Sequence, residues 1–390
     1  MTLNSAPYTG IGVPRRALPR KMALWIIARC VSTRRNPYGA HLKTRTMSKF
    51  TFLAEWEPQK AVILSLPFEG TDWNYMLPQI HKCYIDILRA LVRHEANPCL
   101  LVPSVDYAEK VLPADFFSSI SIVEADYNDT WIRDYGPLTL KDRESGALRL
   151  ADFGFNGWGL KFAADKDNLA IRRLFGPGSS GFPANGYRDF LGYVLEGGSV
   201  ETDGFGTLLT TSHCLCSPNR NGGLSKENIE RILSKSLGVN HFLWLDHGEL
   251  SGDDTDGHID TLARLCPDNT IIYVGCRNPE DEHYAELERM KSQLEGFRTP
   301  EGQPYNLIEL PLPEPVFDEK DGHRLPATYA NYLVTDKAVF VPVYGQPTLD
   351  SLACELIHVA YPDREIEPID CRALIRQHGS LHCATMQLNR

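Results

Sequence analysis

No apolar run in this chain approaches the ~20 residues needed to cross a bilayer, so the sequence excludes a membrane-spanning helix. The ten cysteines contain no Cys-x-x-Cys pair and follow no regular spacing, which argues against a disulfide framework and fits a reducing cytoplasm. Acidic residues are absent from residues 1–46, which carry nine Lys and Arg. No linker or low-complexity stretch interrupts residues 47–390, so that part is expected to be one domain.

The charge that is present is therefore uneven. Beyond residue 46 the chain holds 31 basic and 50 acidic side chains, a net of −19. Such a body argues against a nucleic-acid partner, because phosphate contacts need clustered basic residues. It suits a small cationic substrate. The basic start has three readings: an Arg-rich transit peptide, a nucleic-acid-binding arm, or a start assigned upstream of Met47. Its one apolar run, centred on Ala23-Leu-Trp-Ile-Ile27, is short for a secretory core of ~7–15 residues. On each reading residues 1–46 are expected to be disordered and dispensable.

Periodicity predicts a helix over about 76–93, where Ile80, Cys83, Tyr84, Ile87, Leu88 and Leu91 share one face. A second is predicted from Ser225 as N-cap to Gly238 as stop, and two more near 281–294 and 348–360. Between them lie β-rich runs such as Ala61–Leu64, Pro98–Val102, Thr207–Thr210, Thr270–Val274 and Ala338–Val343. The mixture predicts an α/β fold with hairpins. Asp134, Glu196, His258, Asn331 and Cys383 each precede an apolar run, at separations of 62, 62, 73 and 52 residues. Five strand-and-helix units could close in a ring with these polar positions at its axis.

Four short strings carry chemistry: Trp131-Ile-Arg-Asp134, Leu195-Glu196-Gly-Gly-Ser199, Gly257-His258-Ile-Asp260 and Gly379-Ser-Leu-His-Cys383. They supply a thiol, an imidazole and several carboxylates, a set suited to covalent attack on a carbon centre. The excess of acids points to a guanidinium as the group attacked. Asp134 can accept from a guanidinium while Trp131 packs on its plane. On a strand, His258 and Asp260 would face one way. Each residue also has a plainer reading. Free cysteines are usually inert core, Arg133 can pair with an acid at the surface, Glu196 can be a turn acid, and 252–257 can be a surface loop. A calcium loop is excluded because Gly252 stands where an acid is required. His213-Cys214-Leu-Cys216 has poor zinc spacing.

Taken in order, these strings resemble the agmatine deiminase family, in the peptidylarginine-deiminase-like branch of the guanidino-group-modifying enzymes. Supporting strings are Ala54-Glu-Trp-Glu-Pro58, Phe153-Gly-Phe-Asn-Gly-Trp-Gly159, Asn219-Arg-Asn221 and Arg324–Asn331, and the similarity spans about 53–390. The resemblance implies a five-bladed α/β propeller, the pentein fold. It also implies Cys383 as nucleophile, His258 as acid/base, Glu196 beside that histidine, Asp134 and Asp260 as guanidinium ligands and Trp131 as an aromatic wall. It implies no metal or organic cofactor. The reaction implied converts agmatine and water to N-carbamoylputrescine and ammonia, on a route to putrescine. Deimination of arginine in peptides or of free arginine, transfer to an amine, and a non-catalytic binding role are the alternatives. Free arginine would need a cation for its carboxylate; the sequence identifies none and leaves Arg220 open for that place. Assembly of identical chains is left open. Leu66-Pro67, Asp256 and Glu201 depart from the usual Trp-Pro, Asn and His of the family, which bears on substrate choice. A chain starting at Met47 should keep its thermal unfolding and its turnover; loss of either refutes the reading of residues 1–46.

Overall fold

The computed structural model describes residues 48–177 and 186–390. The basic segment 1–46, and the disorder expected of it, lies outside the described residues.

The long helices form where the apolar period predicts them. One runs Leu77–Arg93, begins with Pro78 in its first turn and buries Ile80, Cys83, Tyr84, Ile87, Leu88 and Leu91. Another runs Lys226–Leu237; the Ser225 side chain accepts from the Asn228 N–H, and Gly238 ends it at a left-handed φ of 79°. Helices Tyr284–Gly296 and Pro347–Ala360 stand where two more are expected. The helix Asp167–Phe175 is not evident in the sequence, because its apolar face is short and two arginines occupy its last turn.

The strands make five separate sheets, and one connectivity recurs in them. A short strand pairs antiparallel with the next strand, a helix follows, and the chain returns as a parallel third strand. Leu138–Asp142, Leu148–Gly154 and Tyr187–Val194 form the first such unit, around the helix 167–175. Val200–Thr202, Thr207–Thr211 and His241–Leu245 form the second, and Ala263–Cys266, Thr270–Gly275 and Asn306–Pro311 the third. Leu333–Val334, Ala338–Val343 and Glu365–Asp370 form the fourth. The fifth is assembled from both ends of the described chain: Met386–Asn389 pairs antiparallel with Gln59–Ser65, which pairs parallel with Pro98–Val102.

The short first strand of every unit follows a polar connector. Asp134 precedes 138, Glu196 precedes 200, His258 and Asp260 precede 263, Asn331 precedes 333, and Cys383 precedes 386. The faint repeat in the sequence thus corresponds to a repeated structural unit. The middle strands are buried on both faces, which explains their unbroken apolar runs, as in Val62–Leu64 and Ile271–Val274.

The last strand holds the fifth unit together. Removing residues 386–390 exposes the edge of Gln59–Ser65 and deletes buried Met386 and Leu388. Each large apolar side chain lost from a core costs ~2–5 kcal/mol. A urea unfolding midpoint unchanged by this truncation would contradict the assignment.

Candidate active site

Each connector is fixed by its own local bonds. Asp134 lies in a one-turn helix, Ile132–Tyr135, held by the Tyr135 hydroxyl, which meets Ser65 Oγ at 2.7 Å and donates to the Asp129 carbonyl at 2.9 Å. Its Oδ2 accepts from Trp158 Nε1 at 2.8 Å and its Oδ1 from the Gly198 N–H at 2.9 Å. Trp158 reaches it from a strained segment. Its φ is +53°, in the left-handed region that a bulky side chain seldom adopts.

Gly197 and Gly198 let the second connector enter the site. A Cβ on Gly197 would lie 2.1 Å from the Arg133 carbonyl oxygen. On Gly198 it would lie 2.7 Å from His258 Nδ1, 2.8 Å from Asp134 Oδ1 and 3.1 Å from Asp260 Oδ2. Three site residues therefore converge on one point, and only a glycine leaves that point clear.

His258 and Asp260 converge through a turn, not through a strand as the sequence suggests. Ile259–Thr261 is a single 3-10 turn capped by His258. The Asp253 carboxylate explains the bend: it accepts from the Thr255 N–H and hydroxyl and from the Gly257 N–H. Such local side-chain bonds compete with strand formation. His258 Nε2 meets Glu196 Oε2 at 3.0 Å, and Nδ1 lies 3.5 Å from Asp134 Oδ1. Burial would push this imidazole down. The Asp134 charge, Cys214 and Glu196 outweigh burial and hold it well above its ordinary value. Glu196 is pushed up by burial, yet its bonds to His258 and Arg220 hold it below the usual carboxylate range.

Cys383 is buried. Its Sγ lies 3.2 Å from Asn331 Nδ2 and 3.7 Å from Asp260 Oδ2. Asn331 Oδ1 accepts from the backbone N–H of His382 and of Cys383, so one amide positions the whole connector. Burial, and then Asp260 and Asp134, push the Cys383 thiol well up. In the free protein it is a thiol, not a thiolate. Asp134 is pushed up to about 6, chiefly by burial. Asp260 is held down despite burial, because His382 Nδ1 meets its Oδ2 at 2.7 Å.

A solvent-open cleft leads down to Cys383 and Asp134. Its buried end holds Cys383, Asp134, Trp131 and Trp158. Trp131 packs so closely on Gly379 that a Cβ there would lie 2.4 Å from the ring. Toward solvent it is lined by Asp72, Asp129, Asp253 and Asp254, with Gln377 and His378 also present. The described lining contains no lysine or arginine. Glu196 Oε1, His258 Nδ1 and Asp260 Oδ1 are buried without a hydrogen-bond partner.

The structure brings Trp131, Asp134, Glu196, His258, Asp260 and Cys383 together. It reassigns Arg220, which cannot serve a substrate carboxylate. Arg220 is buried, with Nε on Glu196 at 2.7 Å, Nη1 on Asp256 at 2.6 Å and Nη2 on the Thr255 carbonyl at 2.8 Å. Asp253 is spent on its own loop and Asp256 on Lys161 and Arg220, whereas Asp254 lines the cavity.

Glu55, Trp158, Arg220 and Asn331 lie within the supporting strings, but no local pattern showed what they touch. His382 sits beside Cys383 in the sequence, and its Nε2 meets Glu55 Oε2 at 2.7 Å. Among the described residues two buried clusters have metal-ligand composition, Glu196–Cys214–His258 and Glu55–Glu201–His382. Each already contains a guanidinium on its carboxylates, from Arg220 and Arg264 respectively, where a cation would sit.

This geometry has counterparts. Residues 51–388 match the model of the Porphyromonas-type peptidyl-arginine deiminase family. Agmatine deiminase of Pseudomonas syringae pv. tomato is 30% identical over 366 residues, covering 87% of this chain and 95% of that one. A crystal structure of a Porphyromonas gingivalis protein, assigned as an arginine deiminase, is 47% identical with a TM-score of 0.80, covering 88% and 99%. A cysteine-to-serine variant of C. jejuni agmatine deiminase, solved with substrate bound, is 34% identical with a TM-score of 0.79, covering 90% and 99%. With nearly its whole described length matched, the chain belongs to the Porphyromonas-type peptidyl-arginine deiminase family.

Proposed function

We propose that this protein hydrolyses the guanidinium of agmatine, giving N-carbamoylputrescine and ammonia through a covalent intermediate on Cys383. The observation that carries the reading is a cavity lined by carboxylates, Asp134 among them, without lysine or arginine in its described lining, that ends at the Cys383 thiol, 3.7 Å from Asp260 Oδ2. Agmatine is cationic at both ends. A guanidinium suits Asp134 and Asp260, and the amine at the other end suits Asp72, Asp129 and Asp254. Free arginine brings a carboxylate that this lining would repel. The agmatine deiminases among the relatives support the same substrate.

The chemistry follows from the charges. Asp134 and Asp260 hold the guanidinium plane, with Trp131 as a wall. Burial and the two carboxylates keep Cys383 protonated; the substrate's positive charge offsets them, so the thiol releases its proton to solvent and the thiolate forms when the target is present. The thiolate adds to the guanidinium carbon. His258, charged and hydrogen-bonded to Glu196, protonates the departing nitrogen, which leaves as ammonia. The amidino-thioether remains. Neutral His258 then takes a proton from water, the hydroxide adds to the same carbon, and collapse expels the thiolate with the ureido product. The residues supply every proton-transfer and nucleophilic role in this scheme. Putrescine synthesis is the route the product would serve.

We also propose that the five recurring units are blades of a five-bladed α/β propeller. Three features support it: the same three-strand order in each unit, extended by a fourth strand in the first and fifth; a site residue at the same place in each; and a last strand, Met386–Asn389, that pairs with Gln59–Ser65 near the start of the fold.

Arginine within a peptide, which lacks a free α-carboxylate, is the second reading. Exposed Leu160 and half-exposed Phe162 near the entrance, together with the match to the Porphyromonas-type peptidyl-arginine deiminase family, favour it over free arginine.

Ammonia release with agmatine, arginine and an N-blocked arginine peptide side by side tests the substrate. Release from agmatine alone is expected, and release from the peptide alone would overturn the choice. Cys383→Ala should abolish turnover while retaining agmatine binding by calorimetry; substantial turnover rules out the covalent scheme. Asp134 must be ionised to hold a guanidinium, and its carboxyl titrates at about 6. The carboxylate is present above that pH and lost below it. So kcat/KM should fall about tenfold per unit below that point, and the fall should be absent from the residual activity of Asp134→Asn.

A further inference from the structure

Asp256 lies outside the set of residues that touch the cavity, yet both halves of the site lead to it. Its Oδ2 accepts from Arg220 Nη1 at 2.6 Å, and its Oδ1 from Lys161 Nζ at 2.7 Å. On the first side the contacts run inward without a gap. Arg220 Nε donates to Glu196 Oε2 at 2.7 Å, and that same oxygen meets His258 Nε2 at 3.0 Å. On the second side they run to the entrance. Lys161 directly follows the left-handed segment Gly157–Leu160, which aims Trp158 Nε1 at Asp134. Gly159 of that segment packs on the pair itself: a Cβ there would lie 3.5 Å from Arg220 Nη1 and 3.7 Å from Asp256 Oδ2. Asp256 itself has a φ of +66°, so its carboxylate is presented from a backbone conformation that few residues accept.

We propose that Asp256 is a positioning residue that sets two catalytic elements at once, the Glu196–His258 pair through Arg220 and the Trp158–Asp134 contact through Lys161. The inference rests on His258 being the acid and base of guanidine hydrolysis. The physical reason lies in the fork of Arg220. A buried guanidinium bonded only to Glu196 and a carbonyl would carry an uncompensated charge and draw Glu196 away from the imidazole. Asp256 neutralises the outer side of the fork, leaving Glu196 free to accept from His258 as well. Because the same carboxylate also binds Lys161, the entrance segment and the imidazole are tied to one group. The charged and titratable groups that act on His258 are Asp134, Glu196, Asp254, Asp260 and Cys214, with Arg220 reaching it through Glu196.

Asp256→Asn is the discriminating variant. Asparagine tolerates a left-handed φ, so the backbone and the shape are kept and only the charge is lost. Expected are a kcat about tenfold lower and a basic limb of kcat/KM moved to lower pH by at least about half a unit. The His258 signal in 15N-histidine NMR of the free protein, assigned with His258→Ala, should titrate at correspondingly lower pH. Lys161→Met keeps the Asp256–Arg220 pair and frees the entrance, so KM should rise several-fold without a lower His258 titration. An unmoved His258 titration in a folded Asp256→Asn protein overturns the proposal. If that variant does not fold, Arg220→Lys keeps the charge but loses the fork, and a wild-type kcat with a wild-type His258 titration in it overturns the proposal instead. The NMR arm needs no substrate. Should the wild-type protein release ammonia from no guanidine, the functional reading fails while the link from Asp256 to His258 is still decided.

Discussion

Buried carboxylates are costly, and this molecule concentrates them. Asp134, Glu196 and Asp260 lie almost fully out of solvent within a few ångströms of one imidazole. Burial favours the neutral acid in each. Two escape by pairing: Glu196 with Arg220 and His258, and Asp260 with His382. Asp134 has no full cationic partner beyond the longer contact to His258, and it alone of the three is pushed upward. The cavity therefore holds an incompletely balanced negative charge, which a cation can complete. Removing one member of such a set leaves its partner charged and buried, so the supporting cations matter as much as the groups in contact with the cavity.

This electrostatic arrangement depends on five connectors arriving at one place. The unit of hairpin, helix and parallel return leaves each connector at the start of a short strand, and each start presents one polar residue. Two backbone features allow the approach to be close enough: the bare Gly198 and the left-handed Trp158. The Arg264 guanidinium, buried among Glu55, Glu201 and the carbonyls of Ala330 and Tyr332, ties the connector of the fourth unit to the first residues of the fold. In the proposed reaction the same balance links binding to reactivity. Burial, together with the carboxylates that attract the guanidinium, keeps Cys383 protonated, so an empty cavity presents an unreactive thiol.

Much of this was legible beforehand. Helix 77–93 and helix 226–237 are written in apolar spacing and in end signals that act locally, and the middle strands in apolar runs too short for helices. Trp131, Asp134, Glu196, His258, Asp260 and Cys383 were legible because each occurs in a compact string of reactive and small residues. The convergence of His258 with Asp260 was anticipated for the wrong reason. An alternating strand was expected, whereas Asp253 bends the chain into a turn.

What the sequence by itself determined is the set of local choices: where helices start and stop, which strands are buried, and which residue types can attack or hold a guanidinium. Those follow from backbone propensity, side-chain period and functional-group chemistry, all readable within a few positions. The tertiary structure alone decided the partners. Glu196 meets Arg220 across 24 residues, Asp260 meets His382 across 122, and Glu55 meets His382 across 327. Coulomb energy and desolvation depend on distance in space and on burial, and neither has a signature in the order of residues. For that reason the sequence leaves open a substrate role for Arg220, whereas the fold makes it the buried counter-ion of Glu196 and Asp256.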